Sequence, residues 1–158
     1  MVEKSFIYIF IYTLLVGCDT QNPLRHVTRE YGEECVSNCF LNISAPSLQM
    51  DDNGYYHMEW LEGYNQTFST LDANTGSDGI VKVMWESDSG INYNGYWVSS
   101  VNPASYTDNG VAHTVLAAWE EQIGDTLTVY AQYQDGCGIE YLDSIKVVID
   151  NEQNEIQN

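Results

Sequence analysis

From Phe40 onward the chain alternates apolar and polar residues in short runs, each broken by a turn signal. No other feature constrains its fold as strongly. Tyr55–Leu61 places Tyr56, Met58 and Trp60 on one face and Tyr55, His57 and Glu59 on the other. Ile80–Glu86 turns Val81, Val83 and Trp85 inward and Lys82 and Glu86 outward. Val111–Ala118 gathers Ala112, Thr114 and Leu116 on one side, and Asp125–Gln134 gathers Leu127, Val129, Ala131 and Tyr133. Ile139–Ile149 does the same with Ile145, Val147 and Ile149. A period of two is the geometry of a strand with one buried face. The breaks fall at Asp51-Asp52-Asn53-Gly54, Asp72–Gly79, Asp88-Ser89-Gly90, Asp108-Asn109-Gly110 and Asp135–Gly138, all rich in turn residues. Tyr93–Val101 reads as one strand interrupted near Gly95. Glu120-Glu121-Gln122 offers a single helical turn, and no longer helix is signalled. With 12 Tyr and 4 Trp, residue types that strands favour, the composition agrees with an all-β antiparallel sandwich.

The N-terminal region follows a different pattern. Phe6–Val16 (FIYIFIYTLLV) is almost wholly apolar, but too short for a bilayer core, which needs roughly 20 helical residues. It ends in Leu15-Val16-Gly17-Cys18 and passes at once into polar sequence. This arrangement resembles the lipobox signal of bacterial lipoproteins. The resemblance implies cleavage before Cys18 and a lipid on its sulfur, hence residence in the cell envelope outside the cytoplasm. The chain then divides into a signal peptide at 1–17, a lipidated cysteine and flexible tether at 18–38, a sandwich at 39–150 and a frayed tail at 151–158.

The formal net charge is −18, with only 5 Lys and Arg in the whole chain. A surface this acidic is repelled by nucleic acid, which excludes that class of partner. The same charge holds the domain off an anionic membrane, so contact with the membrane is expected through the lipid anchor alone.

Three segments together resemble a bacterial immunoglobulin-like domain of group 1, the invasin and intimin type. Thr67–Gly90 carries Asp72-Ala73-Asn74, then Val81-x-Val83-x-Trp85, then Asp88-x-Gly90. Tyr106–Leu116 resembles the family's Thr-Asp-x-x-Gly-x-Ala hairpin, one residue shorter in the turn. Gly124–Ala131 resembles its Gly-led strand ending in Val-x-Ala. The likeness covers Phe40 to Ile149 and implies a sandwich of about seven or eight strands. It departs from the family at the long Asp72–Gly79 turn and the aromatic run Tyr93–Val101. Fibronectin type III and polycystic-kidney-disease types share the broad pattern. In such sandwiches the first strand runs parallel to the last, so both begin at one end. Cys39 begins the first strand and Cys137 precedes the last. The resemblance therefore favours a Cys39–Cys137 disulfide over Cys35–Cys137, with one thiol left over. Such a bridge would close a loop of about 100 residues and stabilise by roughly 4 kcal/mol.

A search for chemistry returns no Gly-x-Ser-x-Gly, no His-Glu-x-x-His and no phosphate-binding loop. No enzyme is expected. His57 and His113 fall on outward faces as surface histidines. Neither sits at zinc-finger spacing from Cys35-x-x-x-Cys39, so no zinc site is expected. Asp72-x-Asn74-x-Gly76-x-Asp78 resembles half of a calcium loop, but Ser77 stands where Gly is needed and Val83 where Glu is needed. A plain turn is the simpler reading, and no cofactor is expected beyond the covalent lipid.

Tyr93, Tyr96 and Trp97 share one segment interleaved with Asn and Gly, and admit two readings. Buried against Trp85, they complete a core. Exposed, they offer rings that stack on sugars. The expected function is a non-catalytic envelope lipoprotein acting as a spacer, adhesion or protein-interaction module, with another envelope protein as partner. The alternative is a carbohydrate-binding module, with or without calcium, and exposure of these aromatics is what separates the two.

Overall fold

The structure, a computed structural model, describes residues 38–61, 63–77 and 79–151. The signal peptide, the tether up to residue 37 with Cys18 and Cys35, Asp78 and the tail beyond Asn151 lie outside the described residues. The strands in chain order are β1 (Asn42–Ser44), β2 (Gln49–Met50), β3 (Tyr55–Trp60), β4 (Gln66–Asn74), β5 (Lys82–Ser87), β6 (Gly90–Tyr93), β7 (Tyr96–Ser99), β8 (Ala104–Asp108), β9 (Val111–Trp119), β10 (Thr126–Gln134) and β11 (Glu140–Asn151). Glu120–Gln122 forms one 3₁₀ turn between β9 and β10, as its sequence suggested.

Nine strands run in the order β1-β4-β9-β8-β5-β10-β11-β3-β2, while β6 and β7 pair only with each other. The nine fold into two layers around one core. β8 joins the layers, because Ala104–Tyr106 pairs with β5 while Thr107 and Asp108 pair with β9. The opposite seam is tied where the Ile43 N–H donates to the Asp143 carboxylate at 2.8 Å. The all-β sandwich expected from the alternation, in the immunoglobulin-like form that the resemblance implied, is thus the observed fold, except that it is not wholly antiparallel, since β11 pairs with β3 in parallel. It has more strands than the seven or eight expected, because short edge pieces and the β6–β7 hairpin form strands of their own.

The inward sets match the periodicity. Val83, Trp85, Leu127, Val129, Ala131, Val147 and Ile149 from one layer are buried against Ile43, Leu71, Ala73, Leu116 and Ala118 from the other. Burial of each large apolar side chain contributes roughly 1.5–3 kcal/mol. The polar tip of Trp85 is satisfied, since its Nε1–H donates to Ser105 Oγ at 2.8 Å.

Two expectations for local structure are corrected. Asp72-Ala73-Asn74 is not the start of a turn. It is the end of β4, paired with Val111, Ala112 and His113 of β9, because inward Leu71 and Ala73 keep the period of two. Tyr93–Val101 is not one interrupted strand. Asn94 and Gly95 both have positive φ, 52° and 84°, the type I′ pattern that reverses the chain within two residues.

The sandwich has two distinct poles. At one, the Tyr133 hydroxyl donates to the carbonyls of Phe40 at 3.1 Å and Thr75 at 3.0 Å, fixing the segment that leads into β1. Burial first, with Tyr141 and Asp135 adding to it, raises the Tyr133 pKa well above its ordinary value, so the hydroxyl keeps its proton. At the other pole Asp88 N–H donates to the Thr128 carbonyl and Thr128 N–H to the Asp88 carboxylate, at the exit of β5. Thr128 and Tyr133 are five residues apart on β10, about 17 Å of extended strand.

Candidate functional site

Between β5 and β8 the chain leaves the sandwich as the β6–β7 hairpin. Its roots are Ser89 and Ser100, whose backbones close on each other through Ser100 N–H to Ser89 O at 3.1 Å. Ala117 N–H then donates to Ser100 O at 2.8 Å, and Val101 bridges Leu116, which fastens the returning arm to β9. Gln122, in the 3₁₀ turn, is 3% exposed and holds both roots. Its Oε1 accepts from Trp119 N–H at 2.9 Å, and its Nε2 donates to Ser89 Oγ at 2.6 Å and Ser100 Oγ at 3.2 Å. This bracket has no sequence signature, since a buried glutamine and a surface one look the same in a string of letters.

Beyond the roots the hairpin is a finger with two different faces. Opposed residues in an antiparallel pair share a face, and successive residues alternate. The register pairs Tyr93 with Tyr96, Asn92 with Trp97, Ile91 with Val98 and Gly90 with Ser99. Tyr93, Tyr96, Ile91 and Val98 therefore occupy one face. Trp97, Asn92, Gly90 and Ser99 occupy the other.

All three aromatics singled out in the sequence are exposed: Tyr93 by 64%, Tyr96 by 77% and Trp97 by 64%. None packs into the core around Trp85. They also do not form one continuous platform, because Trp97 stands back to back with the tyrosines. The Trp97 ring lies against Gly90, where a β-carbon would come within 2.8 Å of Cζ2 and 2.9 Å of Cε2. The indole thus rests against the hairpin at Gly90 while most of the residue stays exposed. Asn92 Oδ1 accepts from Gly95 N–H at 2.9 Å, which fixes its side chain within the turn. The other tryptophans, Trp60, Trp85 and Trp119, are all buried.

The remaining sequence candidates are dispersed. Asp72 lies in β4 and bonds the His113 ring across the ladder at 2.7 Å. Asn74 Oδ1 accepts from Gly76 N–H at 3.1 Å, a local turn contact. Among the described residues no three His, Cys, Asp or Glu side chains converge as a metal would require. Neither Cys39 nor Cys137 is a free thiol.

His57 is more constrained than a surface histidine. Its Nδ1 meets Asp150 at 2.7 Å and its Nε2 meets Asp51 at 3.5 Å. The hydrogen bond to Asp150, reinforced by its charge and by Asp51, raises the His57 pKa above its ordinary value against a smaller desolvation effect. Asp51 is held below the ordinary carboxylate value, mainly by the Tyr55 N–H.

No protein-family model matches the chain, and no curated protein matches it. Among solved structures, it is similar to the "ASH / PapD-like domain of human CEP192 (PapD-like domain 7)" at 7% identity and a TM-score of 0.44, covering 78% of this chain and 96% of that one.

Proposed function

We propose that this chain is a non-catalytic cell-envelope lipoprotein whose immunoglobulin-like domain recognises carbohydrate through the β6–β7 finger. The observation that carries the reading is the exposure of Tyr93, Tyr96 and Trp97 on a hairpin braced by the buried Gln122. Natural sheets protect exposed edges with charge, proline or bulges. This finger has none of these, and instead presents aromatic rings and asparagines. Rings of this kind stack on the apolar faces of sugars, and amide groups bond their hydroxyls.

The proposed anchor rests on the lipobox resemblance at Leu15-Val16-Gly17-Cys18. It enters the domain at the Phe40 pole, while the finger is rooted at the Thr128 pole, an arrangement suited to a ligand displayed away from the anchoring membrane. Multiple acyl chains at about 0.8 kcal/mol per buried CH₂ would hold such a protein firmly. Labelling with a radioactive fatty acid, lost in Cys18→Ser, tests the anchor.

Cys39 and Cys137 are proposed to pair with each other at the anchored pole. Phe40 lies by Tyr133, which stacks on Tyr141, and Ile43 bonds Asp143. The segment from Phe40 to Ile43 therefore runs alongside β11 in the same direction, and both cysteines fall at its head. Non-reducing peptide mapping should recover a Cys39–Cys137 peptide. A Cys35–Cys39 peptide alone would overturn this.

The functional test is a glycan and polysaccharide binding screen of the full chain in detergent, with calcium and with chelator. Binding abolished by Trp97→Ala supports the reading. No binding under either condition overturns it in favour of a spacer or protein-adhesion module.

A further inference from the structure

We infer that the finger selects uncharged sugars and discriminates against acidic glycans, an inference that rests on the carbohydrate reading above. From Ser89 to Thr107 no side chain carries a formal charge, in a chain whose net charge is −18. The whole finger and both roots fall inside that window. A carboxylate or sulfate on a ligand would find no Lys, Arg or His on it to pair with.

The charged residues that adjoin the roots in sequence or share the turn of Gln122 are negative, and the cation on the neighbouring ladder, Lys146 opposite Thr128, leans over the Tyr55 ring. Asp88 immediately precedes Ser89 and is fixed there by Thr128 N–H. Glu120 and Glu121 belong to the same turn as Gln122, which bonds both roots. Asp125 follows, its N–H donating to Gln122 O at 2.9 Å. An acidic chain laid on the finger would meet this field with no cationic side chain of the finger to offset it. At physiological ionic strength the field reaches about 8 Å before screening dominates.

The groups the finger does offer suit a neutral ring. Gly90 leaves room for the planar indole of Trp97 to rest beside the backbone, and its exposed apolar surface suits the C–H face of a pyranose. Asn92 and Ser99 stand on the same face, so their polar groups are uncharged partners for hydroxyls. The tyrosine pair sits on the reverse face and is not part of this surface.

The test uses polysaccharides matched in backbone but not in charge: methyl-esterified and de-esterified polygalacturonate, and cello-oligosaccharides with their C6-oxidised counterparts. Affinities for the full chain in detergent are measured at low and high salt. The expected result is a neutral member bound at least tenfold more tightly than its acidic partner at low salt. The gap should narrow at high salt, and Trp97→Ala should remove the binding without changing the melting temperature. Acidic members bound as tightly as neutral ones, with binding still dependent on Trp97, would overturn the selectivity and leave the site intact. Binding indifferent to Trp97→Ala, or absent for every member, would overturn the carbohydrate reading and this inference with it.

Discussion

The Trp97 indole and Gly90 are in direct contact across the finger, so close that a β-carbon at position 90 would lie 2.8 Å from Cζ2. The same β-carbon would overlap the Val98 carbonyl. Gly90→Ala must therefore tilt the ring and splay the strands without removing any aromatic group. We expect it to weaken ligand binding about tenfold, equivalent to about 1.4 kcal/mol. The global melting temperature should hardly move, since the finger buries little of the core. Calorimetric titration beside a thermal melt checks both halves of this expectation.

Gln122 is the residue on which the geometry of the roots depends. Gln122→Leu keeps the bulk but leaves Trp119 N–H and two serine hydroxyls without their partner. Leaving buried polar groups unpaired costs about 1–3 kcal/mol. Urea unfolding should show a loss of that size, with the unfolding slope unchanged. Ligand affinity should fall as well, because the finger loses its fixed base.

His57 gives the domain a pH dependence of known sign. Asp150, with Asp51, stabilises the protonated ring, so the folded pKa lies above the unfolded value of about 6.5. The folded state then binds the proton more tightly than the unfolded state does. This stabilisation is complete below about pH 6.5 and is lost as pH rises through the folded pKa. Urea midpoints measured from pH 6 to pH 9 should decline across that window, and His57→Gln should flatten the decline. An unchanged decline in the variant would assign it to another group.

Tyr133 ties the segment before β1 to the end of β4 through the carbonyls of Phe40 and Thr75. Tyr133→Phe retains the ring stacked on Tyr141 at a centroid distance of 5.1 Å and deletes only the hydroxyl. The expected loss is about 1 kcal/mol. Hydrogen exchange should quicken at Phe40, whose N–H bonds Thr75 O, and leave the β10–β11 ladder slow.

Much of this architecture was legible in the alternation itself. Val83 and Trp85, Leu127, Val129, Ala131 and Tyr133, and Val147 with Ile149 are buried where a period of two put them. The pattern misled where one signal masked another. Asp72 and Asn74 look like turn residues, but Leu71 and Ala73 between them continue the inward face, and burial of that face extends the strand. Asn94-Gly95 resembles a flaw within one aromatic strand, although it is the pair best suited to a type I′ turn. A single strand over Tyr93–Val101 would merge the two arms of the finger, whereas the turn sets Trp97 on the face away from Tyr93 and Tyr96. Gln122 was unreadable for a different reason. Its partners are serines more than twenty positions away, and only the closed fold brings them within reach.

The finger's role is tested most directly by its own fluorophore. Of the four tryptophans, Trp60, Trp85 and Trp119 are buried and only Trp97 is exposed. Acrylamide should therefore quench Trp97 first in the free chain. A neutral oligosaccharide bound on the exposed indole is expected to abolish that quenching in proportion to saturation. Undiminished Trp97 quenching at saturating oligosaccharide, or no oligosaccharide that binds at all, would contradict recognition through the finger.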